Sequence, residues 1–218
     1  MTSPFTGSAL VGKRAEALEL AILGLLHDAP MHGYELRKRV NSLLGWGRAF
    51  SYGTLYPALK EMVRRGHLTE DEAVDEATTS RASRRGRIVY KLTPDGKERF
   101  AELLNEAGPS SWDDEQFGVH FAFFGRADAE TRMRILVGRR SRLQERLEQF
   151  RSALSRTRER LDAYTLELQR HGLESVEREV RWLDGLISAE QRTNMPQDDH
   201  PRGSRPRLGS TGSTPDEP

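Results

Sequence analysis

The chain has no cysteine. That absence excludes disulfides, cysteine-bound zinc and thiol catalysis, and it is compatible with a cytoplasmic location. Long apolar runs are missing too. Nothing approaches the about 18 consecutive apolar residues of a membrane-spanning helix, and the N-terminus lacks the apolar stretch of a signal peptide. No membrane partner is therefore expected, and the expected compartment is the cytoplasm. The six histidines show no ligand spacing such as H-E-x-x-H, and His120, set among phenylalanines, reads as a structural histidine. No metal and no cofactor are expected. Neither a Ser-His-Asp order, a pair of carboxylates nor a glycine-rich phosphate loop stands out, so the residues do not point to an enzyme. Charge of one sign is also lacking overall, with a net charge of +1 over 218 residues.

What is present is unevenly placed. Residues 31–65 carry seven Lys/Arg against two Glu, and residues 81–91 carry five Lys/Arg and no acid. Such local patches are what a nucleic-acid-binding surface requires. Between Ser51 and Leu68, the residues Leu55, Leu59, Met62 and Val63 recur at helical spacing and define a face for a core. Tyr52, Thr54, Tyr56 and Lys60 are left to face outward, with groups able to bond phosphates or base edges in a major groove. Two further helices precede this one, from Ala15 to near Asp28 and from Gly33 to Leu44. Gly66 ends the third. If Thr54 caps that helix, Pro57 falls in its first turn; if Ser51 caps it, Pro57 lies inside and should bend it.

The period then changes. Residues 67–74 and 87–93 read as two strands joined by a polar segment with Arg81, Arg84 and Arg85 near its end, a hairpin with a cationic tip. Thr93, Pro94 and Asp95 spell the start of another helix: a cap, a proline at the first position and an acid at the positive end of the dipole. Gly108 and Pro109 break it.

From Ser110 to Gly125 the aromatic density rises, with Trp112, Phe117, Phe121, Phe123 and Phe124. This cluster reads first as core at a junction between domains. The second reading is an effector pocket formed by Trp112, Phe117, Phe121 and Phe124. Asp128 then caps a long helix whose Met133, Leu136, Leu143, Leu147, Phe150, Leu154, Leu161, Tyr164 and Leu168 fall on three- and four-residue steps. Gly172 is expected to end it, and Val176, Val180, Leu183 and Ile187 repeat the rhythm in a final helix. A small winged domain cannot cover so long a seam. A second copy is the simplest cover, which makes Leu136, Leu143, Leu147, Phe150, Leu154, Leu161, Tyr164, Leu168, Val180, Leu183 and Ile187 candidate dimer contacts.

The expected fold is mainly α with a small β-hairpin wing. It comprises a flexible N-terminus (1–14), a winged helix-turn-helix domain (15–108), an antiparallel long-helix dimerisation domain (109–191) and a disordered tail (192–218).

Four motifs in order give this pattern a relative. Leu20 to Leu26, His32-Gly33-Tyr34-Glu35-Leu36, Gly53-Thr54-Leu55-Tyr56-Pro57-Ala58-Leu59, and Arg84 to Gly96 together resemble the motif series of the PadR family of transcriptional regulators. The resemblance covers about the first hundred residues. The later helices are similar, less specifically, to the longer C-terminal domain of one PadR subgroup. The resemblance implies a homodimer of winged helix-turn-helix protomers on an inverted repeat of double-stranded DNA, usually a repressor released by a small-molecule effector. The wing insert from Ala73 to Ser83 is longer and more acidic at its start than the compact family hairpin. Candidate DNA contacts are Ser51, Tyr52, Thr54, Tyr56 and Lys60 on the recognition helix and Arg84, Arg85, Arg87 and Lys91 on the wing. Tyr34 joins them through the resemblance, since its own context points to packing. The alternative function is a winged helix used as a protein-interaction module without DNA binding.

Overall fold

The computed structural model describes residues 6–44, 52–72, 88–157 and 162–194. In chain order these form α1 (Thr6–Asp28), β1 (Met31–His32), α2 (Gly33–Leu44), α3 (Tyr52–Arg64), β2 (Leu68–Glu72), β3 (Ile88–Leu92), α4 (Pro94–Asn105), α5 (Asp114–Ala122), a 3-10 turn (Phe124–Arg126), α6 (Ala129–Thr157) and α7 (Ala163–Asn194).

The stretch of α1 from Ala17 to Leu23 is buried on nearly every side, as expected of a helix that is apolar all round and central to its domain. Leu36 and Val40 of α2 and Leu55, Leu59 and Met62 of α3 pack around it. The helix begins at Thr6 rather than near Ala15; Ala9, Leu10, Lys13, Arg14 and Glu16 are good helix formers that extend the buried segment outward without an apolar stripe.

The wing is a three-stranded antiparallel sheet in the order β1-β3-β2, not a lone hairpin. Leu68 faces Leu92 and Glu72 faces Ile88 across one ladder, while Met31 faces Tyr90 across the other. Two residues, Met31 and His32, are too few to show a strand period. Gly66 has φ of +81° and closes α3 with bonds from its own N–H to the Val63 carbonyl at 3.0 Å and from the His67 N–H to the Met62 carbonyl at 2.9 Å. This is the left-handed cap that favours glycine. Thr93 accepts from the Gly96 N–H at 3.0 Å with Pro94 in the first position of α4.

α5 belongs to two cores at once. Val119 and Phe123 enter the winged core, while Phe117 and Phe121 enter a second core with Ile135, Leu136, Leu143, Leu183 and Ile187. α6 and α7 run antiparallel. Arg132 pairs with Glu190 through bonds of 2.9 and 2.9 Å, Arg139 with Glu179 at 2.7 Å and Arg151 with Glu177 at 2.8 Å. At the start of α6, Asp128 accepts from the Thr131 N–H at 2.6 Å.

Two expectations about the helical part are corrected. Gly172 lies inside α7 and ends nothing; α7 starts at Ala163, where Asp162 accepts from the Tyr164 and Thr165 N–H groups at 2.9 and 3.0 Å. A cap beats a glycine here because it satisfies free N–H groups, whereas one glycine costs a helix only about 1 kcal/mol. The apolar seam, moreover, does not wait for a second copy. Leu136, Leu143, Leu147, Leu183 and Ile187 are buried within one chain, with Val180 packed on them, because α7 runs antiparallel to α6 and lays the second seam against the first. Phe150 and Leu154 are half-buried. Tyr164 and Leu168 remain 91% and 68% exposed. Leu161 and the tail from residue 195 lie outside the described residues.

Candidate nucleic-acid interface

α3 is held by one face and open on the other. Leu55, Leu59 and Met62 are buried, whereas Thr54, Pro57, Lys60, Arg64 and Arg65 are exposed. Pro57 lies inside the helix, so the Gly53 carbonyl lacks an N–H four residues on. Of the two helix starts the sequence left open, α3 begins at Tyr52, as a cap at Ser51 would have it; the Tyr52 side chain, like all of Ser51, lies outside the described residues.

Of the outward candidates, Thr54 and Lys60 are exposed as expected. Tyr56 is not fully outward. It is half-buried against the winged core, and its ring and hydroxyl would lie 3.3 Å from a Cβ added at Gly33. Tyr34, in the first turn of α2, is 58% exposed, which its expected packing role does not explain. On the wing, Lys91 is exposed and ion-paired with Asp71. Arg84, Arg85 and Arg87, and the insert from Ala73 to Ser83, lie outside the described residues. Beneath the wing, burial and then the Glu70 carboxylate push the Tyr90 phenol well above its ordinary pKa, so it remains neutral.

A feature of α3 not singled out in the sequence is its only acid. Glu61 takes Arg64 through both oxygens, at 2.6 and 2.8 Å, and Arg65 at 2.8 Å. Hydrogen bonds from these two guanidiniums lower its pKa to about 2. The spacing of three and four residues was the available signal.

The candidate effector residues all pack on the second core but do not line one cleft. Phe117, Phe121 and Phe124 form an aromatic cluster with Trp182, the paired ring centroids lying 5.1 to 6.2 Å apart. Trp182 lies some sixty residues further along the chain, and no local pattern joins it to them. Trp112 lies instead flat against Gly138 of α6. It lines an open cleft of about 790 Å³ with Pro109, Asp113, Asp114, Arg139 and Arg142, and none of the three phenylalanines lines that cleft. Arg139 ties this junction together. Its guanidinium donates to Glu179 and, at 2.8 Å, to the Trp112 carbonyl, pairs with Asp114 at 2.6 Å and lies 5.2 Å from the Phe117 ring centroid.

His120 is buried, with Nδ1 3.0 Å from the Gln116 carbonyl oxygen and Nε2 3.2 Å from that of Leu103. Burial lowers its pKa against the pull of those two carbonyls, and the ring joins α5 to α4, a structural place. Among the described residues no three His, Asp or Glu side chains gather as a metal site, and no helix is long and apolar enough to cross a membrane.

A buried three-helix core, a helix with one free face and a three-stranded wing define a winged helix-turn-helix. Residues 22–102 match the family model described as the transcriptional regulator PadR-like family. The chain thus carries a PadR-like domain, and the resemblance in its motifs is borne out. Solved structures similar to it include a Bacillus subtilis PadR in complex with operator DNA, 18% identical, covering 79% of this chain and 98% of that one with a TM-score of 0.38. Bacillus subtilis PadR in complex with p-coumaric acid is 18% identical, covering 80% and 99% with a TM-score of 0.36. A PadR-like transcriptional regulator from Bacillus cereus is 16% identical, covering 81% and 99% with a TM-score of 0.35. No curated protein matches the chain.

Proposed function

We propose that this protein is a sequence-specific DNA-binding regulator of transcription, acting as a homodimeric repressor on an inverted repeat and released by a small molecule. The observation that carries the reading is α3: a helix anchored by Leu55, Leu59 and Met62 whose free face bears Thr54 and Lys60. The PadR-like domain over residues 22–102 supports it. Phosphate contacts supply affinity, and α3 side chains supply discrimination.

Two protomers reading one face of a duplex require their α3 helices about 34 Å apart, or a multiple of that spacing. The exposed Tyr164 and Leu168 on α7 are the candidate dimer contacts still available on the surface. A ligand wedged beside α5, which both cores share, changes that spacing if it binds the two arrangements unequally.

Selection from a random duplex pool tests the reading, followed by titration of the recovered sequence against salt. An enriched palindrome bound with a steep salt dependence is the expected result. No enrichment and no salt-dependent binding, with the protein folded, would leave the winged helix as a protein-interaction module.

A further inference from the structure

The free face of α3 contains an arrangement that phosphate contact does not use. Thr54, Pro57 and Glu61 follow one another at helical spacing on the side opposite Leu55, Leu59 and Met62. Glu61, half-buried, therefore stands beside the exposed residues of the face that would meet DNA. It is the only acid in α3, and its carboxylate holds Arg64 in a two-pronged pair and Arg65 through Nε. A planar guanidinium so engaged presents its remaining N–H groups in fixed directions and has part of its charge cancelled. The bonds hold the carboxyl near pKa 2, so ordinary pH does not release the clamp.

Nonspecific binding to duplex DNA is almost wholly a matter of cations meeting phosphates. On α3 and the residue that follows it the formal charges are Lys60, Arg64 and Arg65 against Glu61. We propose that Glu61 is a specificity-determining residue that withholds Arg64 and Arg65 from phosphates, keeping sequence-independent attraction low so that readout by the rest of α3 decides where the protein binds. The inference rests on the reading of α3 as the DNA-binding helix.

The test uses the full chain with two probes: a mixed-sequence duplex, and the duplex recovered from the random pool by the wild-type protein. In Glu61→Gln, log affinity for the mixed duplex should fall more steeply with log salt, by about 0.9 for each arginine freed, which is about tenfold tighter binding at roughly 0.1 M salt. The preference for the selected duplex should shrink. Arg64→Gln/Arg65→Gln should leave wild-type affinity for the mixed duplex within about twofold, and adding Glu61→Gln to it should restore nothing.

An unchanged slope in Glu61→Gln overturns the clamp. So does a large loss of binding in Arg64→Gln/Arg65→Gln, since those arginines would then already serve phosphates. Equal strengthening by Glu61→Gln with and without the arginines also overturns it, by assigning the effect to direct repulsion from the carboxylate. Absence of salt-dependent binding by the wild type and every variant is a different result, and it refutes the DNA-binding reading itself.

Discussion

Gly138 sits inside α6, a place where glycine costs a helix about 1 kcal/mol relative to alanine. A Cβ at this position would lie 2.0 Å from Trp112 Cε2, 2.3 Å from Nε1 and 2.5 Å from Cδ2. All three contacts are with one rigid indole, so Gly138→Ala can be accommodated only by moving the whole ring. Movement of the ring is limited because Arg139 holds the Trp112 backbone by donating to its carbonyl at 2.8 Å and the side chain packs on the second core. Overpacking of this kind costs about 2 to 3 kcal/mol, which outweighs the helix gain and leaves Gly138→Ala destabilising by about 1 to 2 kcal/mol. The sign should reverse when the obstacle is removed: in a Trp112→Ala background the same substitution should stabilise by about 0.5 to 1 kcal/mol. Urea unfolding followed by circular dichroism on the four proteins of this cycle measures both values. If Gly138→Ala stabilises the protein that retains Trp112, the indole moves freely and the argument for a pinned junction is wrong.

Lys60→Ala should weaken duplex binding and reduce its salt slope by about 0.9, one phosphate contact, as read by titration at several salt concentrations; an unchanged slope removes Lys60 from the contact surface. Leu183 is fully buried between α6 and α7, so Leu183→Ala should lower unfolding stability by about 2 to 4 kcal/mol independently of protein concentration. A cost that appears only at concentrations supporting a dimer would return this residue to an interface between copies. Asp128 and Asp162 accept bonds from Thr131 and Thr165, which hold both carboxyls below their ordinary pKa. A depressed folded-state value means the stabilisation is complete above the ordinary carboxylate range and is lost as pH falls through the depressed values. Asp128→Asn/Asp162→Asn should therefore flatten the acid side of the stability profile in urea titrations from neutral pH downward, and an unaltered acid limb would count against these caps.

Much of the winged part was legible because its signals are local. The stripe of Leu55, Leu59 and Met62, the Gly66 cap, the Thr93-Pro94 start of α4 and the Asp128 cap each depend on hydrogen bonds or side-chain spacing within a few residues. Those relations are set by the order of residues, and the structure reproduces them. The Glu61 clamp was equally local and readable from its spacing.

The rest depends on what meets a given face, and no short-range pattern contains that. The heptad steps of α6 mark a surface that must be covered, but only the antiparallel packing of α7 makes Leu183 and Ile187 the cover of Leu136 and Leu143. β1 exists because Met31 reaches the free edge of β3 at Tyr90, a partner found only by folding. Trp112 and the three phenylalanines pack on one core yet meet different partners, since Gly138 leaves room for the indole while Trp182 packs edge-on against Phe117 and Phe121. The residue order determined where each helix has an apolar face, and tertiary structure alone decided which other face would exclude water from it, because burial is a relation between segments distant along the chain.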